Sequence, residues 1–199
     1  MADLPQGSLP QCDEITGLVL AGGRGQRVGG RDKGLLDFNG VPLARHVVER
    51  LRPQVASVLI SANRNAQVYA QWAPVIPDDP AQRFAGPLAG IDAALQASTT
   101  PWLAVVPCDL PHLPTDTLAR LSQSLGATRA AHAVNDGRHA LVCLLHRDLA
   151  PVLGQLLRDG ERRISALYAA LHAVAVPFAA GELVNLNAPA DLAAHGASQ

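Results

Sequence analysis

Ile15-Thr16-Gly17-Leu18-Val19-Leu20 runs directly into Ala21-Gly22-Gly23-Arg24-Gly25-Gln26-Arg27-Val28-Gly29-Gly30-Arg31-Asp32-Lys33-Gly34. A short continuous apolar run of this kind reads as a strand buried on both faces. A polar, glycine-rich loop follows it, and Pro42 then opens a helical pattern with Val41, Ala44, Val48 and Leu51 on one face. Strand, loop and helix in that order are the unit from which parallel sheets are assembled.

The same alternation continues outward. Residues 55–61 (VASVLIS) and 75–76 read as further strands, and 88–97 as a helix entered through Gly86-Pro87. A fourth strand, 102–106, ends at Pro107-Cys108-Asp109, and a helix over 115–125 has Thr115 as its expected cap. Residues 130–134 and 140–146 read as strands joined through Asn135-Asp136-Gly137. Helices are expected over 149–157 and 164–171, a strand over 173–178, and a last short helix after Asn185–Pro189. The expectation is an α/β fold, a mostly parallel sheet with helices on both faces. Residues 1–13, rich in Pro, Gln and Ser, read as a flexible lead-in, and 14–199 as a single domain. Ligands of such sheets bind beyond the carboxyl ends of the strands. That places the glycine loop, Ser61-Ala62-Asn63, Pro77-Asp78-Asp79 and the Asp109 loop on one edge.

Composition narrows the function classes. The chain has 199 residues, enough for a core without staples, and its 48% apolar against 4% aromatic content makes that core aliphatic. A net charge of −1 argues against nucleic-acid binding driven by global charge, so an anionic ligand must meet a local positive cluster. Cys12, Cys108 and Cys143 form no CxxC pair, which suggests neither a disulfide framework nor a zinc site. His132, His139 and His146 recur every seven residues and read as scattered surface or core residues. The N-terminus has no basic start or apolar core of a signal peptide, and no run is long enough to span a membrane. A cytoplasmic monomer is expected.

The glycine loop holds six glycines, three arginines and Lys33. Glycines let backbone N–H groups come close to phosphate oxygens, and basic side chains neutralise the charge. It is not a Walker loop, because Leu35 stands after Gly34 where lysine is required, and it is not a dinucleotide fingerprint, because Val28 breaks GxGxxG. Lys33 is the single lysine of the chain, against fifteen arginines. A compact ammonium fits between phosphate oxygens where a planar guanidinium does not. Asp109, at a strand's carboxyl edge, offers the hard oxygen that suits Mg²⁺. A turn or cap role for it is the competing reading.

The pattern L-A-G-G-x-x-x-R-x-G-G-x-D-K-G resembles the signature of nucleotidyltransferases, most closely of the molybdenum cofactor guanylyltransferases. GPLAG (86–90), PCDLP (107–111), GERR (160–163) and NLNAP (185–189) extend the resemblance from Ile15 to Asp191. It implies a Rossmann-like nucleotidyltransferase fold and transfer of GMP from GTP to the terminal phosphate of molybdopterin, with release of pyrophosphate. Lys33, Arg27 and Mg²⁺ on Asp109 would carry the chemistry. GTP would be held by Leu20, Ala21, Gly22, Gly23, Lys33, Asn63, Asp78 and Asp109, with the backbone of 20–22 against the purine edge. Asn187 would assist the metal, and Arg162 and Arg163 would lie toward the pterin. Ser61 stands where the family usually has asparagine, and Asp79 competes with Asp78 for the nucleotide contact. Cofactor-assembly proteins and molybdoenzyme acceptors are the implied protein partners. A cytidylyltransferase on the same pterin, a sugar-phosphate nucleotidyltransferase and a non-catalytic nucleotide-binding regulator are the alternatives.

Overall fold

The structure is a computed structural model that describes residues 9–21, 23, 31–79 and 86–186. The helix expected after Pro189 lies outside the described residues. In chain order the strands are β1 (Ile15–Leu20), β2 (Asp37–Phe38), β3 (Val41–Pro42), β4 (Ser57–Ser61), β5 (Val75–Ile76), β6 (Trp102–Pro107), β7 (Ala130–Asn135), β8 (Arg138–His146) and β9 (Val174–Phe178). The helices are α1 (Leu43–Leu51), α2 (Ala66–Tyr69), α3 (Pro87–Ala97), α4 (Thr117–Ser124), α5 (Ala150–Arg158) and α6 (Ile164–Ala170).

Seven strands form one sheet in the order β5-β4-β1-β6-β8-β7-β9. Every described pairing in this sheet is parallel except those of β8, which runs antiparallel to both β6 and β7. Alternate side chains of each central strand serve opposite layers. From β1, Ile15 and Val19 pack with α1 and α4, whereas Leu18 packs with α3, α5 and α6. In β6, Ala104 and Val106 share the first layer, and Leu103 and Val105 the second. Burial on both faces explains why these strands read as continuous apolar runs. In α1, Leu43, Ala44, Val47, Val48 and Leu51 are buried at helical spacing. Truncating the fully buried Leu51 to Ala would cost about 2–5 kcal/mol.

Three local expectations are corrected. Val41 is not part of the helical face: it pairs with Phe38 in the β2–β3 ribbon, turned through Asn39 (φ 53°) and Gly40 (φ 78°). Asn-Gly favours that turn because both positions need positive φ. Helix α4 is entered from Asp116, not Thr115. The Leu118 N–H that a cap side chain would take is instead bonded to Gln54 Oε1 at 3.1 Å, so a distant residue does the capping. Two of the three histidines are not scattered. His132 on β7 faces His139 on β8 across the hairpin, Nε2 to Nδ1 at 2.8 Å, and His132 is buried.

Candidate active site

The carboxyl ends of four parallel strands finish level with one another. Leu20 is in register with Ser61 on one side and Pro107 on the other, and Ser61 with Ile76. The ladder continues one step past the strands, through Ala21 N–H to Ser61 O (2.9 Å), Cys108 N–H to Leu20 O (3.1 Å) and Ala62 N–H to Ile76 O (3.1 Å). The residues that follow are therefore held on rigid backbone. They enclose a cleft of about 300 Å³. Leu20, Ala21, Gly23, Lys33, Ser61 and Asp78 line one side, and Pro107, Cys108, Asp109 and Leu141 the other, with Gly86, Pro87 and Gly90 from the start of α3. Glycine at position 90 lets α3 come close to the strand ends: a Cβ there would stand 2.6 Å from Ser61 Oγ and 2.8 Å from Leu20 Cδ2, and both side chains would have to move.

Lys33 reaches across from the glycine loop to form an ion pair with Asp109 Oδ2. The same oxygen accepts from Asn185 Nδ2 at 3.2 Å, and Leu186 N–H donates to the Asp109 carbonyl at 2.9 Å. Asp109 Oδ1 is buried and has no hydrogen-bond partner among the described residues. A buried carboxylate oxygen without a donor is costly, and a cation is the usual reason to keep one. Among the described residues no three His, Cys, Asp or Glu side chains gather into a protein-only metal cage. One carboxylate at the edge of an open cleft is nonetheless a donor set that suits Mg²⁺, because that ion keeps waters and takes substrate oxygens as further ligands. The residues present fit that ion.

Lys33 is positioned by its neighbour. Asp32 Oδ1 accepts the Tyr69 phenol at 2.5 Å and the Gly34 N–H at 3.3 Å, while Oδ2 accepts Asn65 Nδ2 at 2.9 Å. Burial, reinforced by the Asp32 carboxylate, pushes the Tyr69 phenol far above its usual range, so it remains a donor. Arg64 Nη2 donates to Gly23 O at 3.0 Å and ties the start of the glycine loop to the segment after β4. Asp32 and Asn185 stand inside the matched motifs without a role assigned by sequence, and Tyr69 and Arg64 lie outside them. Their partners lie 33 to 76 positions away, a separation that carries no local pattern.

Of the expected nucleotide contacts, Leu20, Ala21, Gly23, Lys33, Asp78 and Asp109 all line the cleft. Asn63 stands behind Asp78: its Nδ2 donates to Asp78 Oδ2 (2.6 Å) and its Oδ1 accepts the Asp78 N–H (3.1 Å). Ser61, at the asparagine position, lines the cleft itself, with its hydroxyl 3.5 Å from Asp78 Oδ1. Asp78 is buried at the cleft and Asp79 is exposed. Gly22, Arg27 and Asn187 lie outside the described residues. Arg162 meets the rim, its carbonyl 3.3 Å from where a Cβ of Gly86 would stand, while Arg163 points to solvent and pairs with Glu161 at 2.7 Å. That pairing holds the Glu161 carboxyl down at about 2. Cys108 lies in the cleft, but burial and then the charge of Asp109 push its thiol up, so it stays protonated and is no nucleophile.

A family model described as the MobA-like NTP transferase domain matches residues 17–174. The molybdenum cofactor guanylyltransferase of Yersinia pseudotuberculosis serotype O:1b (strain IP 31758) is 42% identical over 180 residues, covering 89% of this chain and 92% of that protein. The chain belongs to the molybdenum cofactor guanylyltransferase family. Solved structures share the fold of this guanylyltransferase family member. The molybdopterin-guanine dinucleotide biosynthesis protein A of Archaeoglobus fulgidus aligns with a TM-score of 0.71 at 22% identity, over 90% of this chain and 95% of its own. A Mycobacterium tuberculosis H37Rv protein in complex with manganese aligns at 0.69 and 16% identity, over 94% and 100%. Among the described residues no helix is long and apolar enough to cross a membrane.

Proposed function

We propose that this nucleotidyltransferase moves GMP from GTP to the terminal phosphate of molybdopterin, as a single unit over residues 14–199, and releases pyrophosphate. The observation that carries the reading is the Lys33–Asp109 pair, whose second carboxylate oxygen has no donor among the described residues, at the end of β6. The 42% identity to a named guanylyltransferase supports the choice of nucleotide and acceptor.

An oxygen of the acceptor phosphate attacks the α-phosphorus. The new P–O bond forms as the bond between the α-phosphorus and its β-bridging oxygen breaks, and that oxygen leaves with pyrophosphate. The attacking oxygen is already anionic at neutral pH, so no strong general base is needed. The work left to the protein is alignment and neutralisation. Lys33 contributes its charge to the phosphates, with Arg27 as the second cation of the loop. Asp109, with Asn187, would hold Mg²⁺, which when bound supplies charge neutralisation at the α-phosphate and the pyrophosphate. The backbone of Leu20 and Ala21 faces the purine edge, and Asp78, braced by Asn63, offers a carboxylate to donors of the nucleotide.

The test is pyrophosphate release with GTP, CTP or ATP on one molybdopterin preparation. GTP should be favoured by roughly tenfold or more, about the cost of leaving one buried polar group unpaired. Preference for CTP overturns guanylyl transfer and leaves nucleotidyl transfer standing. Nucleotide binding without release would make the chain a regulator.

A further inference from the structure

One polar cluster in the C-terminal half has no part in the nucleotide site. His132 on β7 is buried and stacks on Tyr168 of α6, with ring centroids 4.0 Å apart and planes at 16°. Its Nε2 meets Nδ1 of His139, which is exposed. Its own Nδ1 is buried without a partner among the described residues. The Tyr168 hydroxyl donates to the Ala140 carbonyl at 2.9 Å and so fixes the backbone right after His139.

The contact between the two rings holds one proton, and the orphan nitrogen decides where it is. If His139 Nδ1 carried it, His132 would keep a proton on Nδ1, a buried N–H with nothing to donate to. Buried unpaired donors are rarer in folded proteins than under-satisfied acceptors. His132 therefore donates from Nε2, and His139 keeps its proton on Nε2, turned away from His132. Burial, and then the neighbouring His139, lowers His132 to about 4, so it stays neutral and its tautomer stays fixed.

Position gives this donor a use. His139 lies two residues before Leu141 on β8, and its ring meets those of His132 and Tyr168, which puts it on the face of the sheet that α6 covers. Leu141 lines the cleft. The β6–β8 register pairs Val105 with Cys143. Beyond that pair β8 bulges, since Cys143 pairs with His132 but His139 with Val134, two positions further along β7, and the bulge draws His139 back toward its contact with His132. Across the sheet the order is then glycine loop on β1, carboxylate on β6 and His139 on β8. With the triphosphate on the β1 side of Asp109, the group that attacks it must enter from the β8 side.

We propose that His139 is an acceptor-binding residue, presented by His132 and Tyr168 as a neutral N–H donor to an oxygen of the incoming phosphate. The proposal rests on the nucleotidyl-transfer reading and adds the acceptor side to it. His132 is a positioning residue.

Steady-state kinetics with GTP and molybdopterin varied separately test it. His139→Ala should raise KM for molybdopterin about tenfold or more, the loss of one hydrogen bond to a charged group, and leave KM for GTP within about twofold. His139→Gln, whose amide N–H can stand near the place of Nε2, should recover most of that loss. His132→Phe keeps the stacking on Tyr168 but frees His139, and should raise the acceptor KM severalfold with the GTP value unchanged. An unchanged acceptor KM in His139→Ala, or equal rises for both substrates, overturns the proposal while nucleotidyl transfer stands. Failure of the unmodified protein to release pyrophosphate from GTP and molybdopterin overturns both.

Discussion

Two aspartates flank Lys33 and are provided for in opposite ways. Asp32 has each carboxylate oxygen bonded to donors of the protein, from Tyr69, Gly34 and Asn65. Asp109 crowds Lys33 and Asn185 onto one oxygen and leaves the other buried with no partner among the described residues. A satisfied carboxylate rigidifies what it touches, and a half-satisfied one stores a preference for something still to arrive. The first should answer to stability and the second to chemistry.

That contrast can be broken by substitution. Lys33→Ala removes the charge shared by phosphate loop and carboxylate, and should cut turnover on the order of a hundredfold to a thousandfold with the fold retained. Near-normal turnover would take Lys33 out of the mechanism. Asp109→Asn should slow turnover on the order of a hundredfold and raise the Mg²⁺ concentration needed for half-maximal rate, read by titrating Mg²⁺ at fixed GTP. A lowered melting temperature with normal kinetics per folded molecule would instead make Asp109 a structural cap. Tyr69→Phe should show the reverse pattern, a loss of about 2 kcal/mol in denaturant unfolding and less than tenfold in turnover. A larger kinetic than stability effect there would erase the distinction between the two carboxylates. Asn185→Ala is the mildest case. It removes one of two donors on a single Asp109 oxygen, and a change of only a few-fold in kcat is expected, with GTP affinity unaffected.

The strands that build the cleft were legible because burial on both faces writes itself as a continuous apolar run, as in residues 15–20 and 102–106. The loop chemistry was legible too, since Lys33 and Asp109 follow those runs directly. The fine arrangement was not. The Asn39-Gly40 turn signal was present, but the helical spacing from Val41 obscured it. Gln54 took the capping role expected of Thr115 from across the fold. Asn63 could be placed at the right strand end, but not behind Asp78, because which of two neighbouring polar groups faces a cleft depends on backbone geometry. The heptad spacing of His132 and His139 hid their contact, which the turn through Asp136 and Gly137 creates by folding β7 back on β8.

The reversed direction of β8 has a consequence for how such a protein can diversify. The side proposed for the nucleotide is made of loops that leave parallel strands, and changing their length disturbs the element that each one must reach. The other wall is a hairpin, whose turn at Asn135-Asp136-Gly137 connects nothing but its own two strands. Residues can be added or exchanged there in pairs while the register with β6 stays in place. One half of the molecule is thereby fixed to its donor, and the other is left as an exchangeable module through which a change of acceptor can be tried without giving up the chemistry.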